Sequence, residues 1–424
     1  MKKFMLILGV ITCLNSACSN ENGNVPETGD LSNAVILDWN EVAYQAYGAE
    51  SYQNSLMASK INAMVHLAMH DALNAIDPKF SSYTYTGKDA SADPTTAAAS
   101  AAYTVLVHEI GDKKQFLDSV LQKSISSTPE GESKNRGIAL GKEVGQAIIA
   151  SRLGDGSEGD PLSPIVPDDT PGAYQAVPPF DFIFAPYWVN VKTFGLVKKD
   201  QFRSVPPPAL NSMEYADALN EVKRIGKLNS NSRTDDESAY SKFWYEFSEA
   251  GWNRVARVIA SNKKLGLWET ARMFALVDMA MADAYIAGWD SKFYYNLWRP
   301  HTAIRNANLD GNNKTAGDMQ WEALMPTPPV QDYPSTHSAL GKAAATVIAN
   351  IVGDGTAFKM SSPTAIPASG TRSYSSVSQA ANENADSRVS AGIHFRFACD
   401  AGQDLGHKVA LWLLENQLKP LKQS

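Results

Sequence analysis

Cysteine is almost missing: the 424 residues hold three, Cys13, Cys18 and Cys399. The first two lie at the N-terminal leader, so Cys399 stands alone in the body and no intramolecular disulfide can staple it. Packing must supply the stability, which the length permits. Dense basic tracts are missing as well, and the net charge is −7. That balance excludes nucleic acid as an expected partner. Internal repeats and low-complexity tracts are not found, strand signals are scarce, and no apolar run beyond the leader is long enough for a membrane span. What remains is a soluble globular composition, 44% apolar and 20% charged. Any anion site must be a local gathering of cations in an acidic chain.

The leader "MKKFMLILGVITCLNSACSN" carries two lysines, a short apolar stretch and small residues before Cys18. It reads as a secretory signal over 1–17. "LNSAC" resembles a bacterial lipobox, which implies lipidation at Cys18, a polar tether over 18–33 and a lipid anchor to the membrane. The expected localisation is that of an exported bacterial lipoprotein, at the outer membrane, periplasm or cell surface. Plain secretion is the alternative.

Helical periodicity dominates the body. "MASKINAMVHLAMHDALNAID" puts Ile61, Met64, Val65, Ala68, Ala72, Ala75 and Ile76 on one stripe. "TTAAASAAYTVLVHEI", "NRGIALGKEVGQAIIASRL" and "YADALNEVKRIG" behave likewise, as do segments near 264–292, from Ser335 onward, and 378–416. Between 154 and 209 runs an irregular stretch rich in Pro, Gly and Asp, of the kind that covers a site. The expected fold class is all-α, one or two helical bundles. An N-terminal helical region, 34–210, would include the covering loop, and a C-terminal one, 211–424, would carry the chemistry.

Three segments of the last third concentrate reactive side chains. In "KFYYNLWRPHTAIR", Lys292 and Arg299 are seven apart. On a helix ended or bent by Pro300 they share a face. The apolar residues between them argue against a merely solvated stripe. In "YPSTHSALGKAA", Ser335, Thr336 and His337 open a helix, whose N-terminus offers N–H groups and partial positive charge to an anion. A plain cap is the competing reading. In "SRVSAGIHFRF", Arg388 and His394 are six apart, with Gly392 able to break a helix between them. His66 and His70, four apart, have the spacing of a metal pair but no evident third ligand, so a packed or hydrogen-bonded role is expected. His301 follows Arg299 closely enough to line the same site.

K-x6-RP, PS-x-H and SR-x5-H in that order resemble the vanadium-dependent haloperoxidases and their relatives, the type-2 phosphatidic acid phosphatase superfamily. The resemblance implies a helical bundle of that type. It implies that Lys292, Arg299 and Arg388 bind the oxygens of vanadate or phosphate, with hydrogen bonds from Ser335 and the Thr336 backbone N–H. His394 would be the axial ligand of vanadium, or the nucleophile on phosphorus, and His337 the acid–base group. Vanadate would be the cofactor, with hydrogen peroxide and halide as substrates; a phosphatase would need no cofactor and take a phosphate ester. Trp289, one helical turn before Lys292, is a candidate wall for the halide or peroxide approach, with core packing as its other reading. A homo-oligomer is left open.

Two departures stand out. The middle residue of PS-x-H is usually glycine and here is Thr336, whose side chain is expected to crowd the pocket. Many relatives carry an aspartate four residues after the last histidine; here that position is Ala398, so the histidine lacks its expected carboxylate support.

Overall fold

The computed structural model describes residues 31–47, 52–368 and 370–421. The leader and Cys18 lie outside them. Thirteen α-helices and two small hairpins are described. They run α1 (Ala34–Ala46), α2 (Tyr52–Ile76), α3 (Pro94–Glu109), α4 (Lys114–Ile125), α5 (Glu132–Ser151), β1 (Leu162–Pro164) and β2 (Phe182–Phe184). Then come α6 (Met213–Ile225), α7 (Asp235–Phe243), α8 (Ser248–Lys263), α9 (Leu267–Tyr295), α10 (Pro300–Arg305) and α11 (Thr336–Val352). The chain closes with β3 (Phe358–Ser361), β4 (Thr371–Tyr374), α12 (Val377–Ser390) and α13 (Arg396–Asn416). β1 pairs with β2 and β3 with β4, both antiparallel. The all-α expectation holds, with the hairpins as minor additions.

Helix starts follow local chemistry. Asp93 accepts from the Thr96 N–H and Pro94 takes the first turn of α3, where its missing N–H costs nothing. Thr234 and Glu237 close a capping box on α7. Ser212, Ser335 and Ser376 cap α6, α11 and α12.

Helix α9 is the axis of the bundle and is buried along nearly its whole length. It packs against α2, α11 and α13, while α11 also packs on α13 and α12. The larger hydrophobic cluster draws residues from Val35 to Leu418, so the core runs across residue 210. A second cluster gathers Leu297, Trp298, Tyr333, Phe395 and Ala398 with Tyr215 and Trp321. It therefore grips the segments that precede or follow Arg299, Ser335 and His394.

The stretch expected as a covering loop is pinned to α9 by carboxylates. Asp283 accepts the N–H groups of Phe194, Gly195 and Leu196 at 2.6, 2.8 and 2.9 Å. Asp290 forks with Arg203 at 2.7 and 3.0 Å. Among the described residues no helix is long and apolar enough to cross a membrane.

Candidate active site

The first cation segment is built differently from the expectation of one shared helix. Helix α9 stops at Tyr295, with Asn296 in the left-handed region at φ 49°. Arg299 then caps α10, and Pro300 opens that helix instead of ending the previous one. The reason is proline's fixed φ and absent N–H, which suit a first helical position. Lys292 thus comes from the last turn of α9, and Arg299 from a separate corner.

Both are enclosed. Lys292 Nζ donates to the carbonyls of Gln331 and Asp332 at 2.6 and 3.0 Å. Burial, together with the nearby Arg299 charge, holds its pKa well below the ordinary lysine value. Arg299 donates from Nε to Val330 O at 2.7 Å and from a terminal nitrogen to Ile393 O at 2.8 Å. The same nitrogen lies 2.9 Å from His394 Nε2. Arg388, from the last turn of α12, donates to Trp244 O at 3.0 Å.

His394 sits in the turn between α12 and α13. Gly392 makes that turn at φ 82°, and a side chain there would strike the Gly226 carbonyl. The break expected from Gly392 is therefore present, and it brings Arg388 and His394 to one region. Asp332 Oδ1 lies 2.9 Å from His394 Nδ1 and 3.8 Å from Arg299. The Arg299 guanidinium can only donate, so a neutral His394 accepts on Nε2 and carries its proton on Nδ1, which lies close to Asp332 without the alignment of a hydrogen bond. Burial, then the charges of Arg299, Lys292, Arg388 and His337, push the imidazole well below its usual pKa. Burial pushes Asp332 up to about 7, while Arg299 and Lys292 pull against it. Asp332 thus stands where the missing carboxylate at position 398 left the histidine unsupported, and corrects that expectation. Spacing within one motif could not reveal it, because Asp332 precedes PS-x-H and supports the histidine of the third segment.

Helix α11 delivers the middle segment. Ser335 is fully buried; its N–H donates to Ala398 O at 2.8 Å, and its Oγ accepts from the Ser338 hydroxyl at 3.1 Å. The cap reading of Ser335 is thus observed. The Thr336 methyl packs over Gly288 of α9, where an added Cβ would lie 2.7 Å from it. The crowding expected of Thr336 is absorbed by a glycine on the neighbouring helix. His337 Nε2 lies 2.9 Å from Glu246 O. That carbonyl can only accept, so Nε2 carries the proton and Nδ1 is the nitrogen able to take another. Burial and the Arg388, Arg299 and Lys292 charges hold its pKa well below the usual range.

His337 and Arg388 line a cavity of about 570 Å³ that leads outward from the buried group. Trp289 is not part of that lining: it is packed edge-on against Phe184 and Tyr285, and its indole N–H donates to Ala185 O at 3.1 Å. His301 faces a different cleft, 3.6 Å from Glu322, and so does not line the site as expected. His66 is sealed in the core against Asp278 at 2.7 Å, and His70 against Ser81 O at 3.2 Å, which are the packed roles expected of them.

The donor set suits an oxyanion. Lys292, Arg299 and Arg388 are buried near one imidazole and one buried carboxyl group. Arginine forks match tetrahedral or trigonal oxyanions. Among the described residues no group of three or more His, Cys, Asp or Glu side chains is arranged to hold a metal cation.

A family model described as the VCPO second helical-bundle domain matches residues 272–422, which include every site residue from Lys292 to His394. The vanadium chloroperoxidase of Curvularia inaequalis is 25% identical over 404 residues, covering 75% of this chain and 66% of its own length, just under two thirds. The crystal structure of a bacterial vanadium-dependent iodoperoxidase matches with a TM-score of 0.80 at 24% identity, over 93% of this chain and 99% of that one. A holo-type bacterial vanadium-dependent chloroperoxidase matches with a TM-score of 0.71 at 17% identity, over 91% and 98%. The fold is the all-α bundle of these enzymes, and in sequence and structure the chain is homologous to the vanadium-dependent haloperoxidases.

Proposed function

We propose that the chain is a vanadate-dependent haloperoxidase, which oxidises a halide with hydrogen peroxide. Homology to an enzyme family supports catalysis as the general class. The observation that carries the finer reading is the gathering of the buried Lys292, Arg299 and Arg388 side chains around His394. Lys292, Arg299 and Arg388 would hold the oxygens of vanadate, with Ser335 and the Thr336 N–H adding hydrogen bonds and His394 Nε2 as a ligand. Bound vanadate supplies a Lewis acid that activates peroxide. The protein's own part is to bind and orient. Asp332, 2.9 Å from Nδ1, would favour the His394 proton there and the lone pair on Nε2. His337, whose Nε2 faces the Glu246 carbonyl, would accept and return a proton through Nδ1. Exclusion of water from the buried cations strengthens every one of these contacts. On the same reading the leader and Cys18 make this an exported, lipid-anchored enzyme.

A phosphomonoesterase is the second reading, favoured by one observation: Asp332 supplies the carboxylate that a nucleophilic His394 needs. One experiment separates the two. The purified chain is assayed with and without vanadate, for oxidation of iodide, bromide and chloride by peroxide and for phosphate release from an aryl phosphate. Halide oxidation should appear only with vanadate, phosphate should compete, and His394→Ala should abolish it. His337→Ala should bind vanadate and turn over ~100 to 10,000-fold more slowly. Phosphate release by the vanadate-free protein, with no halide oxidised at saturating vanadate, would reverse the order.

A further inference from the structure

Helix α11 is capped by Ser335 and carries a second serine, Ser338, in its first turn. Ser338 has no part in the chemistry proposed so far, yet it is as fully buried as Ser335. Helix α13 closes over both. A Cβ added at Gly402 would strike the Ser335 carbonyl oxygen and lie 3.1 Å from the Ser338 Cβ. A contact that excludes a methyl group excludes water too, so protein groups alone must satisfy these two side chains.

The hydrogen bonds of Ser335 can be followed one by one. Its N–H donates to Ala398 O at 2.8 Å, and its carbonyl accepts from the Ala339 N–H at 3.0 Å. Its Oγ accepts twice, from the Ser338 N–H at 3.4 Å and from the Ser338 hydroxyl at 3.1 Å. A hydroxyl oxygen has two lone pairs. Ser338 fills both, one from its backbone and one from its side chain. What Ser335 has left is its own hydroxyl hydrogen, for which the described residues show no acceptor. A serine in this state can only donate.

Behind Ser338 stands Cys399, the buried free cysteine, whose side chain is hydrogen-bonded to the Ser338 hydroxyl. The Ser338 hydrogen goes to Ser335, so the thiol is the donor of that pair. Burial pushes the thiol up to about 12, and the hydrogen stays on sulfur. Cys399 is also within electrostatic reach of Lys292 and Asp332, which sets this line of groups beside the buried cations. From Cys399 through Ser338 to Ser335 the donors run in one direction, and each bond in such a line polarises the next.

We propose that Ser338 is a positioning residue of the oxyanion pocket, which acts through Ser335 by committing the Ser335 hydroxyl hydrogen to an oxygen of the bound anion. The proposal rests on the reading of this pocket as an oxyanion site, and it holds for vanadate and phosphate alike. It also sets a demand on the ligand: the oxygen that meets Ser335 must accept a hydrogen bond, so it carries no proton itself. Without the Ser338 hydroxyl, one lone pair of Ser335 is open and its hydroxyl is no longer held to a single direction.

The test is a double-mutant cycle on the full chain. Affinity for orthovanadate and, separately, for inorganic phosphate is read by calorimetric titration, and urea denaturation without anion gives the stability of each variant. Ser338→Ala keeps the backbone N–H that caps the helix and introduces a better helix former. Ser335→Ala should weaken anion binding by about tenfold or more, the loss of a hydrogen bond to a charged group. Ser338→Ala should weaken it by about fivefold. The double variant should bind no more weakly than Ser335→Ala alone, because Ser338 then has nothing to act through. A Ser338 with only a structural role would lower the urea midpoint and leave anion affinity at the parent's level. That outcome, a Ser335→Ala variant of parental affinity, or losses that simply add would overturn the role of Ser338 and leave the pocket standing. A parent chain that binds neither anion would overturn the pocket itself, and this role with it.

Discussion

At the scale of single residues, the most consequential contact is between Asp332 and His394. A carboxyl oxygen 2.9 Å from Nδ1 favours the tautomer with its proton there and leaves the Nε2 lone pair toward Arg299. Such supporting partners are typically worth ~10–100-fold in affinity for what the histidine ligates. Asp332→Asn should therefore weaken vanadate binding by about that factor, read as the loss of vanadate-dependent thermal stabilisation, while circular dichroism stays unchanged. Equal stabilisation in the variant and parent would remove Asp332 from the positioning role. Six residues of the candidate site stand out in the sequence because each sits inside a short motif of fixed spacing: Lys292, Arg299, Ser335, His337, Arg388 and His394. Asp332 does not, because its partner lies in another segment and only the fold joins them.

At the scale of elements, the question is how α11 approaches α9 with a threonine at its first position. Gly288 answers it by leaving room for the Thr336 methyl. The two positions act as one unit, so Gly288→Ala should overpack the contact and cost about 1–3 kcal/mol. Thr336→Ser in that background removes the methyl and should restore most of the loss, a coupling visible in urea midpoints of the double-mutant cycle. Independent, additive effects would mean that the helices adjust elsewhere. The long helices themselves were readable from apolar periodicity, α2 and α9 above all. Their ends were harder. Asn296 stops α9 in a left-handed conformation that the sequence does not announce, and Pro300 was read as a terminator when it is an initiator. Proline allows both, and only the residues before it decide.

At the scale of the whole molecule, an acidic chain keeps a cationic centre by burying it, and it buries acids as well. Glu249 of α8 is fully enclosed, with the Tyr285 hydroxyl donating to its Oε2 at 3.0 Å. Burial, helped by Glu246, pushes its carboxyl up to about 8. In the unfolded chain the same group titrates near 4.3, the ordinary value for glutamate. Between those limits the folded protein keeps a proton that the unfolded protein has released. Stability must then fall as pH rises through the window, by up to about 1.4 kcal/mol per pH unit from this group. Below the window both states are protonated and the slope vanishes. Glu249→Gln keeps the shape and the hydrogen-bond acceptor while removing the titration. Urea denaturation at pH 5, 6.5 and 8 should show the parent losing stability across the series and the variant losing markedly less. The variant should also be the more stable of the two at pH 8. Parallel profiles for parent and variant would show that the carboxyl is ionised in the folded protein, and that a buried charge is held at that point by its surroundings.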